Sequence, residues 1–287
     1  MIICDIEKQG FDFANFPIAS INAERKEYLE RFSANPDCHF WITKEGNDVC
    51  ALLIGELKFG KLEIFRFFNR SQAKQKHSLI SIIDFLVEQR NIFGIAVFQN
   101  LKAYFSILEE IGFKYDSDIF MELDISSWQT RTTGLPFLEF EPLNRRHFSI
   151  VHSLKKQSYT NDFYQRLVPE EQVDAYCRDA IGWMFKSEGN NFTFVGKQNS
   201  EYIGVVSWNE GEEPELRDIM VFPEKQDRGY GTALLQKAVC SLKKKGSPKL
   251  KLGIFESNIP VRRFYERVGF VEIERLEMMY WRRGNCS

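Results

Sequence analysis

The stretch QDRGYGTALL, residues 226–235, sets two glycines one residue apart between a strand-like run, LRDIMVF (216–222), and a run with helical spacing. A helix start leaves backbone N–H groups unpaired and carries the positive end of the helix dipole, so a strand–turn–helix junction is a natural anion site. Gly229 and Gly231 let such a turn take unusual dihedrals and keep side chains away from an approaching phosphate. A plain tight turn is written with the same residues. The pattern is neither the GxGxxG of dinucleotide folds nor a P-loop, since no lysine follows at the required place. The rest of the chain has to choose between these readings.

Working outward, the same plan is written twice. CHFWITKEGNDVCALLIGEL (38–57) aligns with NFTFVGKQNSEYIGVVSWNE (191–210), each two alternating apolar runs around a polar turn, which predicts a hairpin. LKAYFSILEEIGFKYDSDIFMELDI (101–125) aligns with NIPVRRFYERVGFVEIERLEMMYWR (258–282), each a helix ending in Gly-Phe and then a pair of strands. Two matches in the same order at nearly the same offset point to duplication. SSWQTRTTGL (126–135) reads as a linker, giving domains at 1–127 and 136–287. The element order in each half predicts an α/β fold of two tandem domains, each a central mixed, twisted β-sheet flanked by helices.

The 287 residues are 44% hydrophobic and 27% charged with a formal net charge of −2, the values of a globular protein with no global pull toward nucleic acid or anionic lipid. The start, MIICDIEKQGFDF, lacks the basic and apolar regions of a signal peptide, and no run is long enough for a membrane span, so a cytoplasmic protein is expected. Six scattered cysteines without a CxxC pair and four unclustered histidines predict reduced thiols and no metal site.

With these motifs in place the chain resembles the GNAT family, N-acetyltransferases that use acetyl-coenzyme A. The family's Q/R-x-x-G-x-G/A loop is matched by Gln226, Gly229 and Gly231, and its Asn-to-Tyr helix ending Gly-Phe by Asn258, Tyr265, Gly269 and Phe270, with the two motifs in the family's order. The resemblance covers about residues 136–282. It implies acetyl-coenzyme A as co-substrate, a splayed strand whose backbone at Ile219, Met220 and Val221 meets the cofactor arm, and N–H groups from Asp227, Arg228, Gly229, Tyr230, Gly231 and Thr232 around the pyrophosphate. It further implies Asn258 on the arm, Tyr265 as general acid, and Glu215 as general base, with Asp218 as a second candidate. The first half resembles the fold without the chemistry: Gln72 stands for Gln226, but Gln75 and His77 replace the glycines and Leu108 stands opposite Tyr265.

The implied reaction is acetyl transfer to a primary amine of a small molecule or peptide by direct attack, with no nucleic acid or membrane partner. A longer acyl or aminoacyl donor, or a non-catalytic acetyl-coenzyme A sensor, are the alternatives. Two features bear on the acceptor and one on the cofactor: the acidic turn NEGEEPE (209–215), which can attract a cationic amine, the basic LKKKGSPKLKL (242–252), which can meet the cofactor's 3′-phosphate, and SYTNDFYQRL (158–167), where Tyr159, Phe163 and Tyr164 can line an acceptor pocket. Each has a structural reading too, as a solvated turn, a dipole-complementing helix end and core aromatics respectively. None names the acceptor or the oligomeric state.

Overall fold

The computed structural model describes residues 2–5, 35–46, 48–69, 74–129, 134–158, 166–185 and 191–284. By its contacts the chain divides into two compact units, one holding residues 1–116, 167–169 and 276–287, the other 117–166 and 170–275. Residues 117–127 and 276–287 thus each fall in the unit built mainly from the other sequence copy. The fold is mixed α/β, with twisted sheets flanked by helices.

In the first unit β1 (Ile2–Asp5), β2 (Cys38–Glu45), β3 (Asp48–Lys58) and β4 (Lys61–Asn69) pair antiparallel in succession. The helix α1 (Gln75–Gln89) then carries the chain to β5 (Gly94–Phe98), which lies parallel to β4. On α1, Leu79, Ile82, Ile83 and Leu86 recur at three- and four-residue spacing and bury against Trp41, Leu53, Leu62 and Ile64. A 3-10 stretch, Gln99–Tyr104, leads into α2 (Phe105–Glu110). The free edge of β5 takes the end of the chain's last strand, with Met278 opposite Phe98 and Arg282 opposite Gly94, and Met279 fully buried.

The second unit contains most of β6 (Lys114–Asp124), then β7 (Glu139–Pro142), α3 (Phe148–Ser158), α4 (Val173–Gly182), β8 (Asn191–Gln198), β9 (Glu201–Asn209) and β10 (Leu216–Val221). After these come α5 (Tyr230–Lys244), β11 (Lys249–Phe255), α6 (Ile259–Val268) and the first part of β12 (Val271–Arg282). Four strands form an antiparallel sheet in the order β10-β9-β8-β7, while β11 pairs antiparallel with residues 118–124 of β6. The β8–β9 hairpin turns at Asn199 and Ser200, both with positive φ (51° and 67°), the sense that matches strand twist. One face packs α5, through Leu234, Leu235, Ala238 and Val239, on Ile203, Val206 and Trp208. The other packs Val151, Leu154 and Ile181 of α3 and α4 on Val195, Val205 and Met220.

Both hairpins stand where the sequence pattern puts them. The expected closing pairs of strands do not form: 114–124 and 271–282 are each one continuous strand. VEIERLEMMYWR contains no Gly, Pro, Asn or Asp to turn the chain, and in β6 the ladder with β11 reaches Asp118, with the Glu256 N–H donating to the Ser117 carbonyl at 2.8 Å beyond it, so the polar DSD segment is held extended.

Candidate active site

The parallel neighbours β10 and β11 touch only where they begin. Glu215 and Lys251 form a single bridge, and the Lys251 N–H donates to the Pro214 carbonyl at 2.9 Å. From Leu216 onward β10 is bonded to β9 and β11 to β6, so the two strands diverge and the edge of β10 facing β11 carries no ladder. A bulge at Arg217, between the pairs Leu216–Trp208 and Asp218–Ser207, bends β10 at the point of divergence. The gap is a cavity of about 810 Å³. Its walls are residues 216–221 on one side and Gly253, Ile254 and Phe255 on the other, with Asn258 and Tyr265 of α6 and Lys155 of α3 also facing in.

At the end of β10 the chain turns through Pro223–Lys225, and the Gln226 amide Nε2 donates back to the Val221 carbonyl at 3.1 Å, bracing the turn. Asp227 (φ 59°) and Gly229 (φ 82°) are left-handed, a conformation that costs a residue with a Cβ roughly 1–2 kcal/mol. Gly229 is the N-cap of α5, which has no capping side chain, so its first N–H groups have no partner within the helix. The Tyr230 ring is buried, its hydroxyl bonded to Gln198 Oε1, while Asp227 and Arg228 are exposed. Gly231 lies inside the first turn of α5 without a positive φ, and a Cβ there would lie 3.3 Å from two ring carbons of Phe264, so a side chain at this position would press the α6 ring by a few tenths of an ångström.

Asn258 and Tyr265 are seven residues apart, two turns along one face of α6, and both line the cavity. Asn258 occupies the N-cap position without using its side chain as a cap. The Tyr265 ring packs edge-on against Phe264 (5.0 Å) and Phe270 (5.2 Å). Burial, and secondarily the charge of Asp218, hold its phenol well above the ordinary tyrosine pKa. Glu215 pairs with Arg217 at 3.1 Å, its side chain 36% exposed. Asp218 is deeper and pairs with the Lys155 ammonium at 3.3 Å, the side chains 14% and 5% exposed.

Other sequence candidates lie elsewhere. Lys243, Lys244 and Lys245 end α5, roughly 20 Å from its glycine turn by helical rise. Lys243 reaches the Trp128 carbonyl (3.3 Å), and Lys245 pairs with Glu210 over the Phe192 ring. Glu210 accepts from Trp208 Nε1 and Ser241 Oγ, both at 3.0 Å, and Glu213 pairs with Lys251 (2.7 Å). Gln72, Tyr159, Phe163 and Tyr164 lie outside the described residues. Lys155 has no motif to mark it in the sequence; its one signal is the helical stripe it shares with Val151 and Leu154, a pattern that places a lysine on a buried face.

Among the described residues the corresponding place in the first unit is narrower. There β4 and β5 are laddered from Lys61–Gly94 to Ile64–Val97, and a cavity of only about 10 Å³ lies beyond, lined by Ile64, Phe67, Val97, Leu101, Tyr104 and Leu108. Further along β4 the Phe65 carbonyl accepts from Asn100 Nδ2 (2.5 Å) and the Phe67 carbonyl from the Tyr104 hydroxyl (3.5 Å). Gln75 opens α1 behind a Lys74 N-cap, with φ −104° in place of the left-handed glycine, and Leu108 is buried.

Residues 151–270 match the family described as Acetyltransferase (GNAT) family. An uncharacterized N-acetyltransferase of Methanocaldococcus jannaschii is 34% identical over 107 residues, which is 34% of this chain and 47%, about half, of that protein. The [ribosomal protein bS18]-alanine N-acetyltransferase of Haemophilus influenzae is 30% identical over 113 residues, covering 39% of this chain and 77% of that protein. In fold, a GCN5-related N-acetyltransferase from Sphaerobacter thermophilus superposes with TM-score 0.57 at 11% identity over 98% of this chain and 95% of that one. A tandem GNAT protein from the clavulanic acid biosynthesis pathway gives 0.54 at 13% over 93% and 89%. The chain belongs to the GNAT family of N-acetyltransferases.

Among the described residues no helix is long and apolar enough to cross a membrane, and no group of three or more His, Cys, Asp or Glu side chains is arranged to hold a metal ion.

Proposed function

We propose that the second unit transfers an acetyl group from acetyl-coenzyme A to a primary amine by direct attack, and that the first unit is a degenerate copy without a cofactor site, so that catalysis belongs to the 136–287 sequence copy. The observation that carries this is the divergence of β10 and β11 beside an uncapped helix start. The unladdered edge of β10 at Ile219, Met220 and Val221 offers backbone groups to the pantetheine arm, and N–H groups from Asp227 to Thr232 face the pyrophosphate, with Gln226 bracing the turn. Arg228 adds positive charge and Asn258 an amide for the arm. In the first unit the equivalent strand edge is occupied by Asn100 and Tyr104.

An alkyl ammonium, pKa about 10.4, must lose a proton before its nitrogen can attack. A carboxylate of the cleft, Glu215 or Asp218, takes that proton, and the Tyr265 phenol, kept protonated by burial, donates to the departing sulfur. The relative that acts on a ribosomal-protein alanine makes a peptide N-terminus one acceptor class to test, beside amino acids, polyamines and aminoglycosides.

Calorimetric titration with acetyl-coenzyme A is expected to give one site per chain. Gly229→Glu abolishes it, whereas Gln75→Ala and His77→Ala leave it intact. Tyr265→Phe lowers turnover far more than cofactor affinity, read as thiol release across the amine panel. Two sites per chain, binding that survives at Gly229→Glu, or full turnover in the phenylalanine variant would each refute the corresponding assignment.

A further inference from the structure

We propose that Lys155 is a positioning residue of this site: its ammonium fixes the Asp218 carboxylate in the cleft, and Asp218 rather than Glu215 receives the proton lost by the acceptor amine. The inference rests on the acetyl-transfer reading above.

Lysine is among the residues least often buried, yet Lys155 is 4% exposed. Its neighbour Lys156 points outward to Asp174. Lys155 instead takes the stripe of Val151 and Leu154 and meets Asp218 across the cavity wall. As a source of stability alone such a pair is poor, since an apolar residue of similar volume serves as well or better once the charges no longer have to be desolvated. What the pair does supply is a carboxylate of fixed orientation where β10 leaves β11. Glu215, about a third exposed and drawn toward Arg217, is held less tightly.

The charged and titratable groups that share the cleft with Asp218 are Lys155 from α3, Tyr265 from α6, Asp118 from β6, and Glu215 and Arg217 from its own strand segment. Ser207 of β9 is its ladder partner. In the step itself the acceptor ammonium gives its first proton to Asp218, which passes it to solvent. The nitrogen then forms the C–N bond as the C–S bond breaks, and its second proton replaces the one Tyr265 gives to sulfur. The balance is one amide, one thiol and one released proton.

The test uses the full chain with acetyl-coenzyme A and four acceptors: L-lysine, spermidine, kanamycin and an alanine-led tetrapeptide. Lys155→Met is expected to lower kcat at least about tenfold with acetyl-coenzyme A affinity kept within about twofold, Lys155→Arg to restore most of the rate, and Lys156→Met to change nothing. Asp218→Asn falls about a hundredfold, further than Glu215→Gln, and Lys155→Met/Asp218→Asn is no slower than Asp218→Asn alone. A Lys155→Met enzyme at wild-type kcat, a double variant whose loss is the product of the singles, or Glu215→Gln as the deeper lesion overturns the proposal while leaving acetyl transfer standing. Wild-type protein that releases no coenzyme A with any of the four overturns both.

Discussion

Gly204 is the position where a single methyl group tests whether the cleft depends on the fit of β10 against β9. A Cβ built there lies 2.3 Å from the Met220 carbonyl oxygen and 3.0 Å from Leu234 Cδ1, whereas ordinary contact starts near 3.4 Å. The obstacle is backbone, so rotamer changes cannot relieve it, and in Gly204→Ala the Met220 carbonyl has to retreat by about 1 Å. Overpacking of this kind costs about 1–3 kcal/mol. At about 2–4 °C per kcal/mol for a unit of this size, Tm should fall by roughly 2–12 °C. Because the opposite edge of β10 lines the cleft, the same displacement reaches the acyl-transfer geometry, where 1 Å is worth up to about a hundredfold in rate. Differential scanning calorimetry with and without acetyl-coenzyme A measures the stability and the cofactor-induced stabilisation, and coenzyme A release measures the rate. A Gly204→Ala protein with unchanged Tm and unchanged cofactor-induced stabilisation would refute the reasoning.

Three further outcomes are expected. Burial works to raise the Glu210 pKa, but hydrogen bonds from Lys245, Trp208 and Ser241 outweigh it and hold the group below its ordinary 4.5. The unfolded chain therefore binds the extra proton first, and the stability that Glu210→Gln removes should be constant above about pH 5 and vanish as pH falls through the lowered value, read by urea denaturation from pH 7 to 3. Because the Tyr265 phenol titrates above 10.0, kcat should show no descending limb from this group up to pH 10; a limb near pH 8 that disappears in Tyr265→Phe contradicts its burial. Truncation after Arg275 strips β5 of its partner from Met278 to Arg282 and removes the buried Met279, so amides of residues 94–98 should lose hydrogen-exchange protection. Retained protection there would mean that the last strand does not complete this unit.

Local features were readable from residue order alone. The two hairpins, the helix after the glycine turn and the α6 face shared by Asn258 and Tyr265 all follow from alternation, helical period and turn chemistry within a few residues of each position. Tertiary structure decided the rest. Whether β10 stays laddered to β11 or leaves it after Glu215, which unit receives residues 276–287, and whether Lys155 meets Asp218 all depend on partners far away in the chain. A strand's sequence specifies which of its faces is apolar. It does not specify which edge will be paired, because every backbone presents the same N–H and C=O groups, and only the surrounding packing determines which of them are met by another strand and which are left facing a cavity.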